Sequence, residues 1–188
     1  MKKYVHLTLV LFIISALSGL ILGIVNNLTK EPIAIAEAKK LANGIENIFP
    51  NLDSDSLEEE ENTIILNEKI LKEYYIIYDD KNQEQIIGYV FYVIAPKPYQ
   101  KLEFIVGIAV SGKVKGISYL ISEETPGVGT KVNEISYISR FLGLNDVAEV
   151  DTLTGATKSS TAVKNGVKAA LDYFNENIKE LGDNQNEN

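Results

Sequence analysis

The chain has 188 residues, which is enough for one compact domain and a membrane anchor. It contains 18 basic and 26 acidic residues, so its formal net charge is −8, and an acidic protein of this kind repels nucleic acid. Cysteine is absent and the single histidine, His6, lies in an apolar segment, which excludes disulfides, thiolate metal sites, cysteine nucleophiles and histidine-based triads.

The first element in the chain is an apolar segment that is long enough to cross a membrane. Residues 4–29 contain no Lys, Arg, Asp or Glu, and a helix of about 20 apolar residues spans the hydrocarbon core. A cleaved signal peptide is the alternative, but the segment exceeds the usual ~7–15-residue apolar core and no small-residue cleavage site follows it. Because Lys2 and Lys3 precede the segment, the positive-inside rule places the N-terminus in the cytoplasm. We therefore expect residues 1–28 to form a single-pass anchor in the cell membrane, with the rest of the chain on the extracytoplasmic side.

An amphipathic helix and an acidic connector are expected next, over residues 29–62. Pro32 suits the first turn of a helix, apolar residues follow at helical spacing, and Pro50 ends the pattern. Six of the nine residues from Asp53 to Glu61 are acidic, which is typical of a solvated connector.

Two pairs of β-rich stretches then predict antiparallel hairpins. The turns are Asp79 to Asn82 in the first pair and Ser111 to Lys113 in the second. The four predicted strands are residues 74–78, 86–94, 102–110 and 114–121. Tyrosines are frequent in this region, and we interpret them, Tyr99 included, as core or cross-strand residues.

Two helices complete the predicted domain. A short one is expected at residues 134–141, and a long one begins near Ser159. Apolar side chains mark one face of the long helix: Val163, Val167, Leu171, Phe174 and Ile178. The predicted fold class is α+β, with a single N-terminal transmembrane helix followed by one compact domain of antiparallel β-hairpins packed with helices. The domain is expected to occupy residues 63–181, and residues 182–188 to form a disordered tail.

The segment DTLTGATKSS, from Asp151 to Ser160, places a turn and several hydroxyls ahead of the long helix. Free amides and the helix dipole favour an anion at such a position, Gly155 lets the backbone approach a ligand closely, and Lys158 adds a cation. These are the features of a phosphate cradle. Ser and Thr are also the preferred N-cap residues, so ordinary helix capping explains the same cluster. The residues alone leave both interpretations open.

A second segment, Glu124 to Gly129, combines a Pro-Gly turn with a further glycine. Such a loop could lie flat against a ring system, with its amides on polar edges and Val128 on a face. An ordinary strand-to-helix connection would have the same composition.

Together these two segments resemble FMN-binding domains that are flavinylated on threonine. The residues Asp151-x-Leu153-Thr154-Gly155-Ala156-Thr157-x-Ser159 match the signature D-x-[LIV]-[ST]-G-A-T-x-[ST], and the E-T-P-G loop stands at its usual distance upstream. With a single N-terminal span, the chain is similar over roughly residues 1–180 to the G subunits of the Rnf complex, a ferredoxin:NAD oxidoreductase. It is more distantly similar to the C subunits of the sodium-pumping NADH:quinone oxidoreductase.

The resemblance implies that Thr157 carries FMN covalently through a phosphoester. A separate, magnesium-dependent flavin transferase would install the group from FAD outside the membrane, so the chain itself needs no catalytic residue and no metal ligand. The cofactor-binding residues that the resemblance implies are Thr154, Gly155, Ala156, Thr157, Lys158 and Ser159, together with Glu124, Thr125, Pro126, Gly127, Val128 and Gly129 beside the isoalloxazine. The chain departs from the family where Ser122-Glu123 stands at the place of a common histidine, and where Val128 replaces a common leucine.

The implied function is that of a redox subunit, non-catalytic alone, in a membrane-bound ion-translocating oxidoreductase complex. Its implied partners are the other subunits of that complex, the membrane and, transiently, the flavin transferase. Two alternatives remain: an exported FMN-binding domain of another electron-transfer system, and a non-flavinylated scaffold module in which Thr157 only caps a helix. A hydrolase is disfavoured because the exported region has neither histidine nor cysteine.

Overall fold

The structure is a computed structural model that describes residues 2–50, 63–66, 68–79 and 82–179. The chain divides into two compact units, Met1–Lys40 and Leu41–Asn188. The predicted acidic connector, turn residues 80 and 81, and the predicted tail lie outside the described residues.

The first helix, α1 (Lys2–Ile48), is 47 residues long. Of the helices in the described ranges, it alone is long and apolar enough to cross a membrane by length and composition. Its apolar side chains from Tyr4 to Ile35 are exposed, and a helix that is apolar all round needs protein or lipid to cover it. This part of α1 is therefore suited to anchoring the chain in a membrane.

Pro32 lies inside α1, so the prediction that a separate helix begins there is wrong. An interior proline removes one backbone hydrogen bond and costs about 3 kcal/mol or more. The cost is confined to one turn, and the alanine-rich segment from Ile33 to Ala42 has a high propensity to continue the helix on the far side.

The second unit is built on a five-stranded antiparallel sheet whose strands are neighbours in chain order. The strands are β1 (Thr63–Ile65), β2 (Leu71–Asp79), β3 (Asn82–Ile94), β4 (Leu102–Ala109) and β5 (Val114–Ser122). The four predicted strands correspond to β2–β5, and β1 is an additional edge strand. The α+β fold class is confirmed.

One face of the sheet is covered by the helices that follow it. A 3-10 helix (Gly129–Asn133) and α2 (Ile135–Ile138) lead to α3 (Thr157–Tyr173), which continues as a π-helical turn (Phe174–Lys179). The expected helix at 134–141 is thus shorter than predicted, whereas the predicted apolar face of the long helix packs into the core. Fully buried side chains from both layers form this core, among them Phe91, Val93, Phe104, Val106, Val163 and Val167.

The opposite face is covered by the last residues of α1, which belong to the second unit. Ile45, Ile48 and Phe49 are buried against it together with Val90 and Ile105 in adjacent strands. Glycines make the close approach possible. Gly107 pairs with Gly116 across β4 and β5, and a Cβ atom at either position would press against the Ile48 side chain.

Candidate functional site

The loop after β5, which contains one predicted site segment, leaves the sheet at the same end as the link between β3 and β4. In the antiparallel register, Ile94 at the end of β3 pairs with Glu103, and Leu102 at the start of β4 pairs with Ser122 at the end of β5. The β3–β4 link (residues 95–101) and the loop after β5 (residues 123–128) therefore start from neighbouring strands.

Glu124 anchors the loop after β5. The residue is only 3% exposed, and its Oε1 accepts a hydrogen bond from the backbone N–H of Tyr99 in the β3–β4 link at 3.2 Å. Gly129 lies directly against the same side chain, because a Cβ at position 129 would be 2.8 Å from the Glu124 Cβ and 3.0 Å from its Cδ. Glycine at this position therefore makes room for the buried glutamate.

The tip of this loop faces solvent. The Gly127 backbone has φ +72°, and its N–H donates to Thr130 Oγ1 at 2.9 Å, while the Val128 N–H donates to the Thr125 carbonyl oxygen at 3.1 Å. Thr125, Pro126 and Gly127 are exposed, and the Val128 side chain is 48% exposed. The loop thus presents an apolar side chain and a thin stretch of backbone to a ligand.

The signature segment forms a tight turn that leads into α3. The Ala156 N–H donates to the Leu153 carbonyl oxygen at 2.9 Å, and Gly155 has φ +84° with nothing within 4 Å of a Cβ built on it. Ser160 braces the turn from inside the helix. Its Oγ accepts a hydrogen bond from the Leu153 N–H at 3.0 Å and donates to the Ala156 carbonyl oxygen at 2.9 Å. The space outside Gly155 remains open.

Thr157 is the first residue of α3 rather than its cap. The N-cap is Ala156, and within the described residues no side chain forms a capping hydrogen bond there. The exposed Thr157 hydroxyl donates only a long, 3.4 Å hydrogen bond to the Leu153 carbonyl oxygen. The sequence left open whether Thr157 caps the helix, and in the structure it does not.

The other signature residues divide between the surface and the core. Thr154, Gly155, Thr157 and Lys158 are exposed, whereas Ala156 is buried. Ser159 is 1% exposed, and its hydroxyl has no hydrogen-bond partner among the described residues.

Tyr99 connects the two predicted segments. Its ring is 69% exposed in the β3–β4 link, so the interpretation of this tyrosine as a core or strand residue is wrong. The Lys158 ammonium lies 4.2 Å from the ring centroid, a distance at which a cation is attracted to the π-face. Through its backbone N–H, Tyr99 also contacts Glu124. Sequence reasoning missed this role because both contacts are long-range.

A basic groove runs along α3 from the signature segment. It has a volume of about 690 Å³, and its polar lining includes Lys97, Lys158, Thr161, Asn165 and Lys168. Asp172 forms an ion pair with Lys168 at 2.7 Å. The other two lysines of the groove, Lys97 and Lys158, have no carboxylate partner in the described part of the chain. A negatively charged group bound beside Thr157 would lie next to positive charge in an otherwise acidic protein.

Two further side chains hold the signature segment in place, and sequence reasoning assigned neither. The Lys164 ammonium donates to the carbonyl oxygens of Ala148 and Val150 at 2.6 and 2.9 Å. The Tyr137 hydroxyl donates to the Ser160 carbonyl oxygen at 2.9 Å, and burial raises the pKa of Tyr137 to about 12. Neither residue carries a local pattern that distinguishes it from an ordinary helix residue.

These features fit an FMN phosphate attached to Thr157. An ester at this position needs an accessible hydroxyl, room beside the backbone and nearby positive charge. The exposed Thr157, the open turn at Gly155 and the adjacent Lys158 meet these needs. The exposed tip of the loop at Val128 offers an apolar contact to a planar ring.

Comparison with known proteins shows what the chain resembles. The FMN-binding domain family matches residues 99–172, which begin at Tyr99 and include the loop, the signature and α3 to Asp172. The G subunit of the ion-translocating oxidoreductase complex of Vibrio cholerae serotype O1 is 27% identical over 196 residues, covering 95% of this chain and 93% of that protein. The G subunit of the complex of the same name in Aliivibrio fischeri is 29% identical over 199 residues, covering 96% and 93%. The one from Shewanella baltica is 34% identical over 104 residues, or 47% of this chain and 49% of that protein.

A solved structure, NqrC of Shewanella oneidensis, superimposes with a TM-score of 0.41 at 18% identity, covering 68% of this chain and 70% of that one. Residues 99–172 thus match the FMN-binding domain family, in a chain similar over 95% of its length to a G subunit of an ion-translocating oxidoreductase complex.

Proposed function

We propose that this chain is an electron-transfer subunit of a membrane-bound ion-translocating oxidoreductase complex and that it carries FMN covalently through a phosphoester to Thr157. The observation that carries the proposal is the position of Thr157 within the FMN-binding domain. It is exposed at the first residue of α3, beside the open turn at Gly155 and next to Lys158. When bound, the flavin supplies the redox chemistry, while the protein supplies position and electrostatics.

Each part of the site has a role in holding this group. The N-terminal end of α3 and the Lys158 ammonium offset the negative charge of a phosphodiester at Thr157. Gly155 keeps the backbone clear of the phosphate, since no atom lies within 4 Å of where its side chain would be. The loop from Glu124 to Gly129 presents Val128 and exposed backbone to the ring system.

The attachment itself is a phosphoryl transfer without a change of oxidation state. The Thr157 hydroxyl loses its proton, its oxygen forms a bond to the phosphorus of the FMN half of FAD, and the bond to the AMP half breaks, so that AMP leaves. A separate, magnesium-dependent flavin transferase supplies the catalytic groups for this step. Thr157 therefore needs only to be accessible to another enzyme, which its exposure at the surface allows.

We also propose a topology for the chain. Lys2 and Lys3 remain in the cytoplasm, residues 1–28 cross the membrane, and residues 29–62 lead to an extracytoplasmic FMN-binding domain at 63–181, followed by a tail at 182–188. Since the relatives are named as subunits of a complex, the other subunits are the proposed partners. Because the chain has no cysteine, single cysteines introduced at Lys3 and at the exposed Asn145 would report orientation through labelling with a membrane-impermeant maleimide. Labelling of intact cells at position 3 but not at 145 would contradict this topology.

The test of the cofactor assignment is a denaturing gel viewed under ultraviolet light after co-production with a flavin transferase. The wild-type band should fluoresce, and the band of Thr157→Ala should be dark. Thr152→Ala is the matched control, because Thr152 is an exposed threonine of the same segment that is not assigned to cofactor binding, and this variant should keep its fluorescence. A dark wild-type band from yellow protein would mean that FMN binds without a covalent bond, and colourless protein would favour the scaffold alternative.

A further inference from the structure

Glu124 is the one carboxylate that the described residues bury in the second unit, where the other buried polar side chains are the hydroxyls of Ser159 and Ser160. Burying a charged or polar group is unfavourable unless it forms compensating hydrogen bonds. At 3% exposure, Glu124 is poorly placed to contact a ligand on the surface, although it belongs to the loop that the cofactor is expected to meet.

The contacts of Glu124 point inward. Its Oε1 accepts the Tyr99 N–H at 3.2 Å, and its side chain fills the space that a side chain at Gly129 would need. Both the β3–β4 link and the end of the loop are therefore fixed to the same carboxylate. A charged acceptor makes this hydrogen bond stronger than one between neutral groups.

The link that Glu124 holds carries the Tyr99 ring, and this ring holds Lys158. The Lys158 ammonium is 4.2 Å from the ring centroid, and Thr157 is its immediate neighbour in the chain. A lysine side chain on a helix surface otherwise samples many rotamers. The Tyr99 ring, 69% exposed, has no other aromatic partner in the described residues and depends on its backbone for its position.

We propose that Glu124 is a positioning residue: by holding the Tyr99 backbone, it places the Tyr99 ring and thereby the ammonium of Lys158, the residue that follows the attachment residue Thr157 in α3. The inference rests on the proposed function for the identity of the group on Thr157, but the chain of contacts exists without that group. Glu124 then acts on the site through Tyr99 and does not itself touch the cofactor.

The primary test is nuclear magnetic resonance of the full chain in detergent micelles, without flavin, with lysine labelled with carbon-13 at the ε position. A methylene group over an aromatic face is shifted upfield, so the Lys158 signal should lie upfield of the lysines that face no ring, together with the signals of Lys72 and Lys115, which lie over Tyr92 and Phe49. The signal that is missing from the spectrum of Lys158→Arg is the signal of Lys158. In Glu124→Ala the signal should move to the position of the exposed lysines. Glu123→Gln is the matched control, because Glu123 is the exposed neighbour and should leave the signal in place.

A folded Glu124→Ala variant with an unmoved Lys158 signal would overturn the inference. If Glu124→Ala does not fold, as judged by lost spectral dispersion, Glu124→Gln decides instead. Its neutral amide oxygen accepts a weaker hydrogen bond, so the Lys158 signal should move part of the way, and an unmoved signal would overturn the inference. Gly129→Ala, which displaces the glutamate, should have the same effect as Glu124→Ala.

A second readout links the contact to the cofactor. When co-produced with a flavin transferase, Glu124→Ala and Lys158→Met should each reduce the fraction of protein that carries flavin and change the reduction potential of the bound flavin. In the double variant neither quantity should change further. Fully additive effects on the potential would contradict action through Lys158. A wild type that carries no flavin would refute the proposed function, while the nuclear magnetic resonance experiment would still decide the role of Glu124.

Discussion

The Tyr137 hydroxyl lies 2.9 Å from the carbonyl oxygen of Ser160, to which it donates a hydrogen bond in the buried core. The contact ties α2 to the first turn of α3, where the signature segment ends. The Tyr137 ring also packs edge-on against Phe141, with 5.2 Å between the ring centroids. The beginning of α3 is therefore held from the core side, which leaves its outer side free for Thr157.

Replacing Tyr137 by Phe should lower the free energy of unfolding by about 1 kcal/mol at neutral pH, the usual net value of a hydrogen bond. It should also change the alkaline behaviour. Burial raises the pKa of the folded-state Tyr137 phenol to about 12, from the ordinary tyrosine value of 10.0 that the unfolded chain retains. The stabilisation from the neutral phenol is thus fully present below pH 10 and is lost as the pH rises towards 12.

The measurement is urea unfolding of both proteins between pH 8 and about 12. The free energy of unfolding of the wild type should fall more steeply above pH 10 than that of Tyr137→Phe. Burial also raises the pKa of Tyr75, but this group titrates in both proteins and cancels in the difference. The pKa of Tyr119 is raised by burial and, to a smaller extent, by Tyr137, so that smaller part is lost in the variant. Parallel curves would mean that Tyr137 is accessible and ionises normally.

Ser159 and Ser160 are adjacent, equally buried and opposite in their hydrogen bonding. Ser160→Ala removes the acceptor of the Leu153 N–H and should cost about 1–3 kcal/mol, since it leaves a backbone donor of the signature turn without a partner. Ser159→Ala removes a hydroxyl that has no partner in the described residues, and it should be neutral or slightly stabilising. Urea unfolding of the two variants tests this difference. Equal losses would show that Ser159 has a partner, such as a buried water molecule.

At position 155 a larger side chain should find room, but any side chain should strain the backbone. A side chain there meets open space, yet φ is +84°, so Gly155→Ala should cost about 1–2 kcal/mol through backbone strain alone. Gly155→Asn should cost less than Gly155→Val, because asparagine adopts positive φ more readily than β-branched residues do. Thermal unfolding of the three variants checks the order. A loss that grows with side-chain volume would instead indicate a steric clash.

Lys164 should matter more than its exposed neighbour on α3. Lys164→Met removes two hydrogen bonds to the carbonyl oxygens of Ala148 and Val150, and each bond to a charged donor contributes about 1.5–3 kcal/mol at most. Lys168→Met breaks only an exposed ion pair with Asp172, which solvent screens, and should cost much less. Hydrogen exchange of the amides at 148–151 should become faster in the first variant and stay unchanged in the second. Equal exchange in both would refute this role of Lys164.

Local patterns predicted the strands and the long helix because both depend on periodicity. Alternating apolar residues with short polar turns correspond to β2–β5, and the apolar face that includes Val163, Val167 and Leu171 is buried as predicted. The turn at Gly155 and the exposure of Thr157 also follow from the sequence around them. These features involve residues close together in the chain.

The contacts that the sequence did not reveal join distant residues. Tyr99 was interpreted as a core residue because nothing in its neighbourhood indicates Glu124, 25 residues later, as the partner of its backbone. The same holds for Lys164 and Tyr137, whose acceptors are backbone carbonyl oxygens that any residue possesses. The prediction that a separate helix begins at Pro32 was wrong because the helix propensity of the residues on both sides outweighed the tendency of proline to break a helix.

A fragment that begins at Leu41 should fold, whereas one that begins at residue 51 should not. The shorter fragment lacks Ile45, Ile48 and Phe49, which are buried on the face of the sheet opposite α3. Full burial of each such side chain contributes about 1.5–3 kcal/mol, so their combined loss approaches the whole stability of a small domain, about 5–15 kcal/mol.

Circular dichroism and size-exclusion chromatography of the two fragments test this prediction. Phe49→Ala in the longer fragment provides an intermediate case and should cost about 3–5 kcal/mol. The ring lies directly against Gly88 and Gly107, where an added Cβ atom would come within 2.5 and 3.0 Å of its carbon atoms. A stable, monomeric fragment from residue 51 would mean that the sheet needs no cover on this face, and the end of α1 would then be a connector rather than part of the folded domain.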